Sequence, residues 1–124
     1  MNIVDSSGWL EYFADGPNAD QFAPMLHQTA ELLVPAITVF EVFKVVCRER
    51  GEGPALQVAA LMQQGTISEL TASLAMQAAK VSLERNLPLA DSIIYTTGLL
   101  HNATIWTQDE HFSGLTNVRY FPKQ

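Results

Sequence analysis

Short apolar runs alternate with helical patterns along the chain, and this alternation limits the fold more than any other feature. The runs that predict strands are residues 1–4, 32–34, 66–70, 104–107 and 118–121. The segments that predict helices are residues 6–13, 19–28, 37–50, 55–63, 71–85 and 88–102. Strands that alternate with helices are typical of a parallel sheet covered on both faces. We therefore predict an α/β fold with a mainly parallel central sheet.

Length and composition indicate one domain of ordinary size. The chain has 124 residues and is 48% hydrophobic, which is enough for a substantial core, so we expect residues 1–124 to form a single domain. Its one cysteine, Cys47, cannot form an internal disulfide and suits a reducing cytoplasm. No apolar run approaches the roughly 18 residues of a membrane span, and the N-terminus lacks a signal pattern. We therefore expect a cytoplasmic protein.

Four acidic residues lie in apolar surroundings where a charged side chain is costly to bury. Asp5 and Asp109 follow predicted strands, Asp91 lies near the start of the last long helix, and Glu41 lies in the apolar helix 37–50. The carboxyl ends of parallel strands share one edge with the N-termini of the following helices, and ligands bind at that edge. A divalent cation with oxygen ligands would offset the charge of acids gathered there.

Each acid also has a structural explanation. Asp5, Asp91 and Asp109 could cap helices or interact with helix dipoles. Thr38 and Glu41 have the spacing of a capping box, in which the glutamate hydrogen-bonds to the backbone. For any one acid the structural explanation is the commoner one. Four acids on one edge would repel each other strongly without a counter-ion, so together they favour a metal site.

The ligand types indicate which metal and which chemistry to expect. Carboxylates without histidine or cysteine suit Mg²⁺ or Mn²⁺ better than Zn²⁺. Such ions activate water and neutralise charge on a phosphate, so phosphodiester hydrolysis is the expected reaction. We expect Asp5, Asp91 and Asp109 to hold the principal metal, and Glu41 to bind a second metal or orient the water.

Four motifs in this order resemble the PIN domain, and within it the VapC-type toxin ribonucleases of toxin–antitoxin pairs. They are Ile-Val-Asp-Ser-Ser at the N-terminus, Glu41 on its apolar helix, Leu-Ala-Asp-Ser-Ile-Ile at 89–94 and Thr-Gln-Asp-Glu-His-Phe at 107–112. The resemblance implies a three-layer α/β/α sandwich and a metal site formed by Asp5, Glu41, Asp91 and Asp109. It also implies that hydroxyl groups of Ser6 and Thr107 support the first and last acids.

The function that this resemblance implies is that of a Mg²⁺- or Mn²⁺-dependent endoribonuclease. Such a toxin would hydrolyse RNA with a metal-activated water and be inhibited by a VapB-like antitoxin, and we expect a homodimer. Another metal-dependent phosphodiesterase acting on DNA or on RNA-processing intermediates, or a non-catalytic interaction module, remains the alternative. The net charge of −6 does not exclude RNA, because two bound divalent cations would reduce it to −2.

Three other polar residues near these motifs have simpler interpretations. Lys44 and Arg48 follow Glu41 at helical spacing, which favours ion pairs with Glu41 over contacts with RNA. His111 is interpreted as a solvated histidine in a turn, although contact with substrate is the alternative.

The helix 37–50 is apolar almost all round, which predicts packing on several sides.

Overall fold

The computed structural model describes residues 1–124 and contains the five strands and six long helices that the sequence predicts. The strands are β1 (Asn2–Val4), β2 (Leu33–Pro35), β3 (Thr66–Ser68), β4 (Thr104–Thr107) and β5 (Val118–Tyr120). The helices are α1 (Ser6–Phe13), α2 (Ala19–His27), α3 (Ala36–Arg50), α4 (Glu52–Met62), α5 (Ala72–Arg85) and α6 (Leu89–His101). Two short 3₁₀ helices lie at Thr29–Glu31 and Glu110–Phe112.

All strand pairs are parallel, as predicted. β4 lies between β1 and β5, while β2 pairs with β3. One parallel bridge between Asn2 and Leu32 brings the two groups side by side. In the β1–β4 pair Val4 lies opposite Trp106, so the next residues, Asp5 and Thr107, lie side by side at the carboxyl end of the sheet. This register fixes the position of the site described below.

Alternate residues of the strands belong to two separate cores, which confirms the three-layer sandwich. Val4 and Val34 point to a core shared with α1, α2, α3 and α4. Ile3 and Leu33 point to a second core that contains Ile94 and other residues of α6. Helices therefore cover both faces of the sheet, because successive side chains of a strand point to opposite faces.

Helix α1 lies very close to β1, and Gly8 permits this approach. A β-carbon at Gly8 would lie 2.5 Å from Val4 Cγ1 and 2.9 Å from Phe22 Cδ1. Only a residue without a side chain fits this gap without displacing core atoms. The close packing holds the first turn of α1, with Ser6 and Ser7, against the end of the sheet.

Helix α3 packs on several sides, as predicted, because it contacts α1, α4, α6 and β2, although one of its faces is exposed. Only Thr38, Val42 and Val46 are buried, and the side chain of Phe40 is 60% exposed. Partly buried residues extend the packing to both sides of these positions, since Val39 packs against the first core and Ile37 against the second. None of the helices has both the length and the apolar character needed to cross a membrane.

Candidate metal centre

Asp5 is a buried carboxylate with hydrogen-bond donors on both oxygens. Its side chain is 2% exposed and lies directly after β1, at the N-cap of α1. Oδ1 accepts from the Gly8 amide at 3.1 Å and from the Ser7 hydroxyl at 2.7 Å, and Oδ2 accepts from the Thr107 hydroxyl at 2.7 Å. The capping interpretation is therefore correct for Asp5, although capping uses only one of its two oxygens.

Thr107 connects two of the four acids. Its hydroxyl donates to Asp5 and accepts from the backbone amide of Asp109 at 2.9 Å. Thr107 is fully buried at the end of β4, where the parallel register places it opposite Asp5. This hydroxyl therefore hydrogen-bonds to the carboxylate of the first acid and to the backbone of the last.

Glu41 is held by Ser6 on the first turn of α1. The Ser6 hydroxyl donates to Glu41 Oε1 at 2.9 Å. Ser6 was expected to contact Asp5, but it contacts Glu41 instead. The hydroxyl that contacts Asp5 belongs to Ser7. The capping-box interpretation of Glu41 is wrong, because α3 begins at Ala36 and Thr38 is already inside the helix.

Asp91 and Asp109 both contact His111, which the sequence predicts to be a solvated histidine in a turn. His111 Nδ1 lies 3.0 Å from Asp91 Oδ2 and 3.1 Å from Asp109 Oδ1. Asp109 Oδ1 also accepts from the backbone amide of His111 at 2.9 Å, so Asp109 caps the short 3₁₀ helix. The imidazole is 54% exposed, yet it pairs with two acids.

The environment raises the pKa values of three of the acids. Burial raises the pKa of Asp5 to about 7, although its hydrogen bonds partly oppose this shift. Burial, followed by the charge of Asp109, raises the pKa of Asp91 to about 6. Burial raises the pKa of Glu41 in the same direction, with the hydrogen bond from Ser6 opposing it. The charge of Asp109 raises the pKa of His111.

Lys44 and Arg48 do not pair with Glu41. Lys44 Nζ lies over the ring of Phe40 at 5.8 Å, and the Arg48 guanidinium lies 3.7 Å from Glu49. The expected ion pairs with Glu41 are therefore absent, and the charge of Glu41 is offset by a neutral hydroxyl alone. No basic side chain neutralises this part of the site.

The donor atoms fit a divalent cation. One carboxylate oxygen each of Asp91 and Asp109 and one ring nitrogen of His111 lie within 4.8 Å of one another. Asp5 and Glu41 lie outside this group, and burial is the main cause of their raised pKa values, to which the charge of Asp109 adds. Raised pKa values in closely spaced acids indicate charge that a bound cation would relieve. The sequence predicted a site with oxygen ligands alone. The nearby imidazole adds a possible nitrogen ligand, which suits a wider range of metals.

A polar cleft opens beside these residues. It has a volume of about 600 Å³, and its lining includes Ser7, Asp109, His111 and Tyr120. A more apolar groove between α1, α3 and α4 lies apart from the four acids. Of the four acids Asp109 lines this open, polar space, which is wide enough for part of a phosphate-bearing ligand.

Comparisons with known proteins agree with this geometry. The sequence pattern of the family described as "PIN domain" matches residues 3–117. A search of curated protein sequences finds no match.

Similar solved structures cover nearly the whole chain. A toxin–antitoxin complex from Klebsiella pneumoniae aligns with a TM-score of 0.81 and 19% identity, covering 98% of this chain and 99% of that chain. VapC20 from Mycobacterium tuberculosis, described as a sarcin–ricin loop cleaving toxin, aligns with a TM-score of 0.75 and 17% identity, covering 94% and 95%. VapBC2 from Rickettsia felis, bound to a DNA fragment from its promoter, aligns with a TM-score of 0.73 and 11% identity, covering 99% and 98%. At these identities the likeness establishes the fold.

Proposed function

The chain belongs to the PIN domain family, and from this premise we propose that it is a metal-dependent endoribonuclease acting as the toxin of a toxin–antitoxin pair. The observation that carries the proposal is the convergence of four acids at the carboxyl edge of the sheet. Asp91 and Asp109 approach each other directly, Thr107 links Asp5 to Asp109, and Ser6 holds Glu41.

We propose Asp91 and Asp109 as the central ligands of Mg²⁺ or Mn²⁺, with Asp5 and Glu41 completing the acidic site. The bound ion would supply an acidified water and charge neutralisation at the phosphate. His111 Nδ1 contacts the same two carboxylates, so an ion bound by both acids would either displace the imidazole or take it as a further ligand.

The protein's own groups would position the reaction. Thr107 fixes the carboxylate of Asp5 and the backbone of Asp109 through one hydroxyl, so these acids keep their spacing as substrate binds. Ser6 occupies Glu41 Oε1 and leaves Oε2 without a protein partner. We propose that this oxygen accepts a proton from the attacking water, a role that the raised pKa of Glu41 favours.

The proposed partners follow from relatives with the same fold. Two of the similar structures are toxin–antitoxin complexes, which supports a VapB-like antitoxin as the natural inhibitor. We also propose that residues 1–124 act as one domain that forms a homodimer. An apolar groove of about 590 Å³ between α5 and α6, with Leu83 86% exposed and Leu89 71% exposed, supports a self-association surface. Light scattering coupled to gel filtration tests the homodimer.

The test of this function is RNA cleavage by the purified protein in Mg²⁺ or Mn²⁺. We expect the wild-type protein to cleave single-stranded RNA, and EDTA to abolish cleavage. Asp91→Asn should reduce the rate by at least about 100-fold, because it removes an anionic ligand. The matched control is Asp20→Asn, an exposed acid in the first turn of α2, which should keep full activity. Cleavage of DNA alone would indicate the alternative phosphodiesterase, and metal binding without any cleavage would indicate an interaction module.

A further inference from the structure

The C-terminal segment, defined here as residues 121–124, is fixed beside the acidic site by a buried asparagine. Asn18 is 1% exposed and lies just before α2. Its Nδ2 donates to Gln108 Oε1 and to the Pro122 carbonyl, each at 3.0 Å. Its Oδ1 accepts from the Gln124 side-chain amide at 3.1 Å. One buried side chain therefore links the C-terminal segment to the residue that separates Thr107 from Asp109.

Aromatic packing fixes the start of the same segment. The Phe121 amide donates to the Thr107 carbonyl at 2.9 Å, which continues the pairing of β5 with β4. The Phe121 ring stacks on Trp106 at 6.1 Å and packs edge-on against Phe22 at 5.6 Å. A segment held by buried hydrogen bonds and ring packing presents its remaining side chains in a defined direction.

Lys123 lies in this segment and borders the acidic cleft. It lines the cleft of about 600 Å³ that also contains Asp109 and His111, and it is the only lysine or arginine in that lining. It also lines the adjoining space of about 450 Å³ that contains Ser6 and Ser7. A sugar–phosphate backbone that crosses the site from one space to the other would pass the ammonium group of Lys123.

Lys123 has no partner within the protein. None of the four ion pairs in the structure involves it. Other basic side chains are engaged, since Arg85 lies over Tyr95 and Arg119 lies over Trp106, at 5.8 Å and 5.9 Å. An exposed, unpaired ammonium group beside an acidic site can bind an anionic ligand without first breaking a protein contact.

Tyr120 supplies an aromatic surface in the same cleft. Its side chain is half-buried at the end of β5 and lines the cleft together with Lys123. No other aromatic ring and no cation lies against its ring among the contacts of the structure. Aromatic side chains next to basic ones form the usual platform for single-stranded nucleic acid, with a base on the ring and a phosphate on the cation.

We propose that Lys123 and Tyr120 form a binding subsite for the RNA strand beside the reacting phosphate. Lys123 contacts a neighbouring phosphate, Tyr120 stacks on a base, and Asn18 acts as a positioning residue that holds the segment. This inference rests on the proposed ribonuclease function and assigns substrate binding to residues outside the four acids. It places the bound strand along the edge formed by β4 and β5.

The test measures RNA binding separately from cleavage. In the inactive Asp91→Asn background with Mg²⁺, fluorescence anisotropy follows a fluorescein-labelled single-stranded 12-nucleotide RNA of random sequence. Lys123→Ala should raise Kd several-fold and reduce the slope of log K against log salt by about 0.7, the value for one lost phosphate contact on a single strand. The matched control, Lys80→Ala, removes an exposed lysine of α5 and should change neither quantity.

Tyrosine variants and steady-state kinetics complete the test. Tyr120→Ala should raise Kd about fivefold or more, whereas Tyr120→Phe, which keeps the ring, should bind as before. In the otherwise wild-type protein, Lys123→Ala should raise KM for RNA cleavage and leave kcat within about twofold.

Each failure has a separate meaning. A wild-type protein that cleaves no RNA contradicts the proposed function itself. If the wild-type protein cleaves RNA but Lys123→Ala keeps the same Kd, salt slope and KM, the subsite is wrong while the function stands. Equal weakening by Lys123→Ala and Lys80→Ala would show a general charge effect and overturn the subsite. Unchanged RNA binding together with loss of a co-purifying protein would assign the surface to a protein partner.

Discussion

Asp109 is the residue at which the charges of the site converge. Burial is the main cause of the raised pKa values of Asp5, Glu41 and Asp91, and the charge of the Asp109 carboxylate adds to all three; Asp109 also pairs with His111. Two further contacts make its position rigid, because Thr107 holds its amide and its own side chain caps the following 3₁₀ helix. A single acid thus couples elements that are distant in sequence, and neutralising a neighbour should change both stability and activity.

Asp91→Asn tests this coupling because Asp91 makes no hydrogen bond to a backbone group. Its one side-chain hydrogen bond is with His111, so the change removes repulsion from Asp109 without removing a cap. We expect the metal-free variant to unfold at a higher temperature than the wild-type protein, while metal-dependent activity is lost. Thermal melts in EDTA measure the shift.

The control again is Asp20→Asn, since Asp20 and Asp91 both lie in the first turn of a helix. An acid that serves only the helix dipole contributes about 0.3–1 kcal/mol, so Asp20→Asn should lower stability slightly. If Asp91→Asn lowered stability in the same way and kept activity, Asp91 would be a dipole partner and not a metal ligand. The equivalent change at Asp5 is less informative, because Asp5 also caps α1.

The raised pKa of Asp5 predicts how the stability of the metal-free protein depends on pH. Its pKa is about 7 in the folded protein and 3.8 without the fold, so the native state binds more protons between these values. The stabilisation is therefore fully present below about pH 4 and is lost as the pH rises through about 7. We expect the free energy of unfolding in EDTA to fall by a few kcal/mol over this window.

Saturating Mn²⁺ should reduce this dependence, because the ion stabilises the ionised carboxylates and binds only the folded state. Urea denaturation at a series of pH values, with EDTA or with Mn²⁺, measures both curves. A metal-free protein whose stability increased from pH 5 to pH 7 would contradict the assigned burial of Asp5.

At the scale of the elements, the sequence predicted the strands and most helix limits because apolar runs and helical spacing are local signals. The order of the strands is not local, since β4 separates β1 from β5 in the sheet. That order decides that Thr107 faces Asp5, which no sequence spacing could show. The sequence also gave no signal that Ser6 would contact Glu41, 35 residues away, because the contact depends on how α1 packs against α3.

His111 was missed for a similar reason. It lies two positions after Asp109, which caps the short 3₁₀ helix, whereas its other partner, Asp91, is 20 residues away on α6. A solvated histidine was the simpler interpretation until the fold brought α6 against this turn. The Thr-Gln-Asp-Glu-His-Phe motif contained the histidine, but it did not show the direction of its ring.

The approach of α1 to β1 gives a prediction at this scale. Gly8→Ala places a β-carbon against Val4 and Phe22 and should lower the free energy of unfolding by about 1–3 kcal/mol. The matched control is Gly53→Ala on α4, where a β-carbon meets no atom within 4 Å. That change should be neutral or stabilise by up to about 1 kcal/mol, because alanine favours a helix.

Urea denaturation of both glycine variants measures these effects. Displacement of α1 should also impair the site, since Ser6 and Ser7 are in its first turn. A Gly8→Ala protein with wild-type stability would show that α1 does not pack as tightly against the sheet as described.

At the scale of the whole molecule, the acidic site and the proposed binding surface are arranged at one edge of a parallel sheet. The chain carries a net charge of −6, yet Lys123 borders the acidic cleft. The net charge of the chain is therefore a poor guide to its ligand. The local arrangement of acids, a cation and an aromatic ring determines what can bind at this edge. The apolar surfaces lie elsewhere, between α5 and α6 and between α1, α3 and α4, which leaves this edge free for a polar ligand.

The central claim is that the four acids perform metal-dependent hydrolysis of RNA, and the end groups of the products test it most directly. If a metal-activated water attacks the phosphate, no 2′-hydroxyl takes part, and the products carry 5′-phosphate and 3′-hydroxyl ends. Mass spectrometry of RNA incubated with the protein in Mg²⁺, and again in EDTA, identifies these ends. We predict 5′-phosphate products in Mg²⁺ and none in EDTA. Products with 2′,3′-cyclic phosphate ends that persist in EDTA would contradict the account, because they would show attack by the 2′-hydroxyl without metal.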